Sequence, residues 1–127
     1  MNAVVLDSSV IIAILKNEPG AKDSYLHNAL VSTVNLTEVA TRLITLGYSK
    51  EQAQAVMSGL PIKPIAFDLE LVNTTAFMVQ ETRKYGLSLG DRACLTAAIK
   101  SKLPVLTADR IWKKLETELN VQIQLIR

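Results

Sequence analysis

The chain has 127 residues, of which 49% are hydrophobic and 20% charged, with five glycines and four prolines. Such a length and composition describe one compact domain over residues 1–127 and exclude disordered, repetitive and fibrous proteins. A formal net charge of +2 is too small to name a partner, and an aromatic share of 5% makes the expected core aliphatic. No apolar run approaches the roughly 18 residues needed to cross a bilayer, so no membrane is expected among the partners. The single cysteine, Cys94, has no second thiol to pair with. The chain opens without a charged start and apolar signal core, and a cytoplasmic protein is expected.

A first strand is expected over residues 4–6. It ends at Asp7-Ser8-Ser9 and gives way to residues 10–15, a run too apolar on all sides for a surface helix. Glu18-Pro19-Gly20 breaks that run, and a short helix is expected over about 21–28. His27, the only histidine, has no Cys or His neighbour with which to hold a metal and reads as a surface residue. Residues 29–33 form the second strand. Asn35 then opens a helix in which Leu36, Val39, Ala40, Leu43 and Ile44 follow the spacing of one buried face, closed by Gly47. Ser49 caps a further helix to about residue 58, ended by Gly59 and Pro61. Residues 62–65 can be a strand only at or near an edge, since Pro64 cannot donate to a ladder.

A longer helix is expected from Asp68 to about Tyr85, with Leu69, Val72, Ala76, Val79 and Arg83 as its buried stripe and Gly86 as its cap. Ser88-Leu89-Gly90-Asp91 starts the next helix, whose interior, residues 93–99, carries no charge before Lys100 and must be covered on nearly every side. Cys94 lies in that run without a histidine placed to activate it, and so reads as a core residue. Residues 104–107 form a strand, Asp109 begins a short helix to about Leu115, and residues 121–125 alternate with period two as a half-exposed edge strand. Strands separated by helices throughout argue for an α/β fold: a mostly parallel sheet with helices on both faces.

Four acids, Asp7, Glu38, Asp91 and Asp109, each stand at or just inside the start of a helix. Capping explains each of them singly. Asn35-x-x-Glu38 and Ser88-x-x-Asp91 fit the capping box, while Asp7 and Asp109 fit the N-cap. In a parallel sheet, however, strand exits face one edge, and ligands bind there. Carboxylates delivered to one cleft repel each other unless a cation neutralises them, and a hard divalent ion such as Mg²⁺ or Mn²⁺ suits oxygen donors. With those four of the 12 acids set aside, eight acidic residues remain against 14 basic ones, a balance that tolerates a polyanion. No dinucleotide fingerprint, phosphate-binding loop or nucleophile with its base is present. The chemistry that remains is phosphoryl chemistry by metal-activated water, with hydrolysis of a phosphodiester as the leading case. Ser9 and Thr107 stand near two of the acids and can orient ligands or water, or serve only as local hydrogen-bonding groups.

The segments Val5-Leu6-Asp7-Ser8-Ser9-Val10, Glu18-Pro19-Gly20, Asn35-Leu36-x-Glu38-Val39, Leu87 to Leu95 and Leu103 to Asp109 together resemble PIN-domain ribonuclease toxins of the VapC type. The resemblance runs from first strand to last. It implies a three-layer α/β/α sandwich around a five-stranded parallel sheet, a Mg²⁺- or Mn²⁺-dependent endoribonuclease site, an RNA substrate, an antitoxin partner and a homodimer. Carried onto this chain, it makes Asp7 and Asp91 direct metal ligands and has Glu38 and Asp109 complete the cluster directly or through water. Ser9, Asn35 and Thr107 become supporting groups, and Arg92 a phosphate contact or a partner for a carboxylate. One or two ions would activate a water for in-line attack, leaving 5′-phosphate and 3′-hydroxyl ends.

Two other readings remain. On the first, the same fold is a non-catalytic RNA- or partner-binding module and the acids are caps. On the second, it is a metal-dependent phosphatase, which Asp7-Ser8-Ser9 suits poorly because no second acid follows two residues on. The apolar stretches 10–15 and 93–99 exceed what one sheet face covers, so a homodimer seam is expected over one of them. A groove beside the acids is expected to receive an antitoxin helix whose Arg or Lys reaches them.

Overall fold

The computed structural model describes residues 2–127 and has a five-stranded, all-parallel sheet at its centre. Its strands are β1 (Val4–Leu6), β2 (Ala29–Ser32), β3 (Lys63–Ile65), β4 (Val105–Thr107) and β5 (Ile123–Leu125), in the spatial order β3-β2-β1-β4-β5. The chain winds outward from β1 through β2 to β3, then returns to the other side of β1 for β4 and β5. The winding therefore reverses between β1 and β4, and the crevice above two such strands is where open α/β sheets place their ligands.

Helices cover both faces, giving the expected α/β/α layers: α1 (Ser8–Leu15), α2 (Thr33–Thr45), α3 (Lys50–Gly59), α4 (Leu69–Phe77), α5 (Val79–Thr82), α6 (Leu89–Ser101) and α7 (Leu115–Leu119). Alternation along β1 divides the core, because successive strand side chains point to opposite faces. Val5 packs with Val105, Ile123, Trp112 and the buried Cys94, Leu95 and Ala98 of α6. Leu6 packs with Val31, Leu106 and the buried Val10, Ile11 and Ile14 of α1. Each apolar helix thus has a sheet face of its own, and α2 and α4 complete the cover of α6. Most of both apolar runs is covered within one subunit, and Ile99, at the end of the second run, is left 39% exposed.

Three element predictions are corrected. Residues 21–28 hold only a 3₁₀ turn, Asp23–Leu26, with no side-chain cap and Leu26 as its buried anchor. So short a helix has too few hydrogen bonds to offset nucleation. Ile44, expected in the core, is 49% exposed; α2 buries Asn35, Val39 and Leu43. The helix expected from Asp68 to Tyr85 is broken into α4, α5 and a 3₁₀ turn, Arg83–Tyr85.

The face that stretch buries is also different: Leu71, Thr75, Met78 and Thr82 point inward. Two of these are threonines whose hydroxyls are satisfied, Thr75 by Thr96 Oγ1 at 2.7 Å and Thr82 by the Met78 carbonyl at 3.0 Å. Apolar spacing alone therefore selects the wrong face. The stripe it selects, Leu69, Val72, Ala76 and the neighbouring Phe77, is exposed, Leu69 at 78% and Phe77 at 67%.

Candidate active site

Asp7 follows β1 directly and occupies the N-cap position of α1, yet its carboxylate makes no capping hydrogen bond. Ser9 Oγ and Thr107 Oγ1 donate to it instead, both to Oδ2, at 2.6 and 3.0 Å. The hydroxyls are held in turn. Ser9 Oγ accepts from the Ala108 N–H at 3.1 Å, and Thr107 Oγ1 accepts from the Asp109 N–H at 3.0 Å. The exits of β1 and β4 are thereby laced around a carboxylate that is only 4% exposed. Helix capping does not account for Asp7.

The other three acids are engaged locally. Ser88 and Asp91 form the expected capping box of α6: Ser88 Oγ accepts from the Asp91 N–H at 3.1 Å, and Asp91 Oδ2 accepts from the Ser88 N–H at 3.0 Å. Asp109 caps the 3₁₀ turn Arg110–Lys114, accepting from the Ile111 N–H at 3.1 Å. Asn35 and Glu38 are not a capping box. Ser32 caps α2 through the Val34 N–H, so both residues lie inside the helix, and Asn35 Nδ2 donates to Glu38 Oε1 at 2.8 Å.

The same Nδ2 donates to the Gly90 carbonyl at 3.0 Å and joins α2 to the start of α6. Both of its partners are acceptors, so the amide has only one satisfactory orientation. Asn35 is 0% exposed, and its Oδ1 is buried without a hydrogen-bond partner. An unmade bond of that kind costs about 1–3 kcal/mol. Gly90 supplies the space: a Cβ there would run into the Glu38 carboxylate. Gly90 is the site residue that sequence reasoning missed. Its signal was a glycine inside a helix, where it costs about 1 kcal/mol against alanine.

Electrostatics ties the four acids together. Burial raises Asp7 from 3.8 to about 6, the hydroxyls of Ser9 and Thr107 oppose the rise, and the charges of Asp91 and Glu38 add to it. Burial also raises Asp91. Its hydrogen bonds with Ser88 oppose the rise, and the charges of Glu38 and Asp109 reinforce it. Among the described residues, no lysine or arginine forms an ion pair with any of the four.

Arg92, the nearest cation in sequence, donates from Nη1 to the Thr75 carbonyl at 2.8 Å and ties α6 to α4. It forms no ion pair with a carboxylate among the described residues. Cys94 lies fully buried, its thiol pushed well above the ordinary range by burial, with the Asp7, Asp91 and Glu38 charges adding.

The donors available are all oxygen, which fits a hard divalent cation. The acids do not form a finished cage: among the described residues, no group of three or more His, Cys, Asp or Glu side chains stands ready to hold a metal ion. Glu38 and Gly90 also line a groove of about 800 Å³ that runs between α1, α2 and the start of α6 past Ile12, Val34, Arg42 and Leu89.

An all-parallel sheet with acids at the reversal of its winding defines an α/β protein with a candidate acidic site at that edge. The chain belongs to the PIN-domain family, whose model matches residues 4–118. Its structure is similar to the DNA-bound VapBC from Salmonella typhimurium, with a TM-score of 0.77, 17% identity and 100% of both chains covered. It is similar as well to the toxin–antitoxin complex from Klebsiella pneumoniae, at 0.76, 16% identity and 98% of each chain. VapBC-5 from Mycobacterium tuberculosis follows at 0.62, 21% identity and 98% of each chain. At these identities the likeness shows the fold. No curated protein matches the sequence. Among the described residues, no helix is long and apolar enough to cross a membrane.

Proposed function

We propose that this protein is a Mg²⁺- or Mn²⁺-dependent endoribonuclease, the toxin of a toxin–antitoxin pair acting in the cytoplasm. The observation that carries the reading is Asp7: a buried carboxylate, unused as a cap, unpaired with any cation among the described residues, and under the charges of Asp91 and Glu38. Burying such a group is costly unless something positive joins it. Asp7 and Asp91 would hold the ion, with Glu38 and Asp109 completing the acidic set. When bound, the ion lowers the pKa of a water and polarises the phosphate. The chain's own part is to fix the acceptors. Ser9 and Thr107 lock Asp7 Oδ2, Asn35 locks Glu38, and the capping box of Ser88 orients Asp91.

A non-catalytic binding module on the same fold has one observation in its favour, namely that each of the acids already has a local donor and no cage is preformed among the described residues. One experiment separates the readings. RNA incubated with the protein in Mn²⁺ should be cut, chelator should stop the cutting, and Asp7→Asn and Asp91→Asn should abolish it. Cleavage that survives either substitution sinks the nuclease assignment, and no cleavage by the wild type favours the module.

Two surfaces support partners. The groove beside Glu38 and Gly90 is the place we assign to an antitoxin helix whose basic side chain reaches the acids. The similar structures from Klebsiella pneumoniae, a toxin–antitoxin complex, and Mycobacterium tuberculosis, a member of a toxin–antitoxin family, support such a partner. The exposed α4 stripe of Leu69, Val72, Ala76 and Phe77 has the regular spacing of a buried helix face and suits a second copy of the chain.

A further inference from the structure

We propose that Asn35 and Gly90 form a clamp that positions Glu38, and that this clamp fixes the acid of α2 relative to the acid of α6. The inference rests on the reading of Glu38 as part of a cation site. Two locally unfavourable residues carry it. Asn35 is fully buried in α2 with one amide oxygen unpartnered, and an apolar side chain would avoid that cost. Gly90 stands in the first turn of α6 with no positive φ to justify it, and alanine would serve that helix better. One purpose explains both. Asn35 Nδ2 divides its two hydrogens between Glu38 Oε1 and the Gly90 carbonyl, and the absent Gly90 side chain leaves the room that the Glu38 carboxylate occupies.

The clamp also overrules a competing partner. Arg42 lies one turn beyond Glu38, in the Glu-then-Arg order that favours an ion pair across four positions. Glu38 forms no ion pair with it and is held by Asn35 instead. Because Gly90 directly precedes Asp91, a single amide sets the spacing between Glu38 and Asp91. Asn35 acts through these neighbours and is a positioning residue.

The test is equilibrium Mn²⁺ binding to the full chain without RNA, read as free Mn²⁺ by electron paramagnetic resonance, alongside thermal unfolding in chelator. Asn35→Ala and Gly90→Ala are each expected to weaken Mn²⁺ binding about tenfold, close to the effect of Glu38→Gln. Asn35→Ala combined with Glu38→Gln is expected to be no weaker than Glu38→Gln alone, because the two act through one group. Asn35→Leu fills the space without a donor and gives the same reading should the alanine variant fail to fold. Wild-type affinity in the folded variants, or losses that simply add in the double variant, would overturn the clamp. Absence of Mn²⁺ binding by the wild type would overturn the cation site and the clamp with it, whereas weakening by Glu38→Gln alone would overturn only the clamp.

Discussion

Asp91, at the start of α6, stands near enough to Asp7, at the end of β1, for its negative charge to raise the proton affinity of the Asp7 carboxyl. Residues far apart in sequence are thus electrostatic neighbours at the edge where β1 and β4 emerge. A cation between them would reverse the sign of that interaction, and the predictions below follow from the reversal.

Without metal, the Asp7 charge destabilises the fold. Asp7 titrates near 3.8 when unfolded and about 6 when folded, so its favourable contribution is complete below about pH 3.8 and is lost as pH rises through about 6. In chelator at pH 7.5, Asp7→Asn should be more stable than wild type by up to about 3 kcal/mol. The gain should vanish near pH 4. Unfolding curves across that range check the claim, and a gain independent of pH would contradict it.

Added metal should invert the order. Mn²⁺ should raise the melting temperature of the wild type and leave Asp7→Asn little changed. Because the ion needs an ionised carboxylate, Mn²⁺ affinity should fall as pH drops through about 6, with proton release on binding in that window. Calorimetry in buffers of different ionisation enthalpy measures the release.

Thr107→Val removes a donor from Asp7 Oδ2 and an acceptor from the Asp109 N–H while keeping the side chain's volume. A cost of about 1–3 kcal/mol is expected. Since the Thr107 hydrogen bond lowers the Asp7 value, its loss should move Asp7 upward. Carboxyl carbon shifts followed by NMR against pH report that movement, and an unchanged titration would refute the coupling.

Cys94 should resist thiol reagents in the native protein, because the fully buried thiol is held in its protonated form. Labelling should appear only with denaturant. Rapid native labelling would show that α6 opens more readily than its packing implies.

Replacing Leu69 and Phe77 together by lysine should convert a dimer to monomer on sizing, with monomer stability changed by no more than about 0.5 kcal/mol per site. A wild-type protein that is already monomeric at micromolar concentration would remove the α4 stripe as a subunit surface.

The strands were legible from short β-branched runs and their breakers, and Pro64 correctly marked an edge. Three of the acids were legible from their place at helix starts, whereas Glu38 lies inside α2, which Ser32 caps. Which face α4 buries was not, because Thr75 and Thr82 go inward with their hydroxyls satisfied and hydropathy counts them as polar. Nor was the reason for Gly90: a glycine inside a helix is the only signal, and one sequence does not say that the space beside its α-carbon is filled by a carboxylate from α2. Of the two roles expected of Arg92, pairing with a carboxylate misled for the opposite reason, since its neighbour in sequence is Asp91 while its hydrogen-bond partner is the carbonyl of Thr75.

The return of the chain to β4, beside β1, has a consequence during synthesis. Asp7 is synthesised 100 positions before Thr107, which supplies one of the two hydroxyls that hold its carboxylate. A nascent chain cannot assemble the four acids until nearly all of the fold has emerged. Any chemistry that needs all four acids is therefore withheld by topology from every unfinished copy.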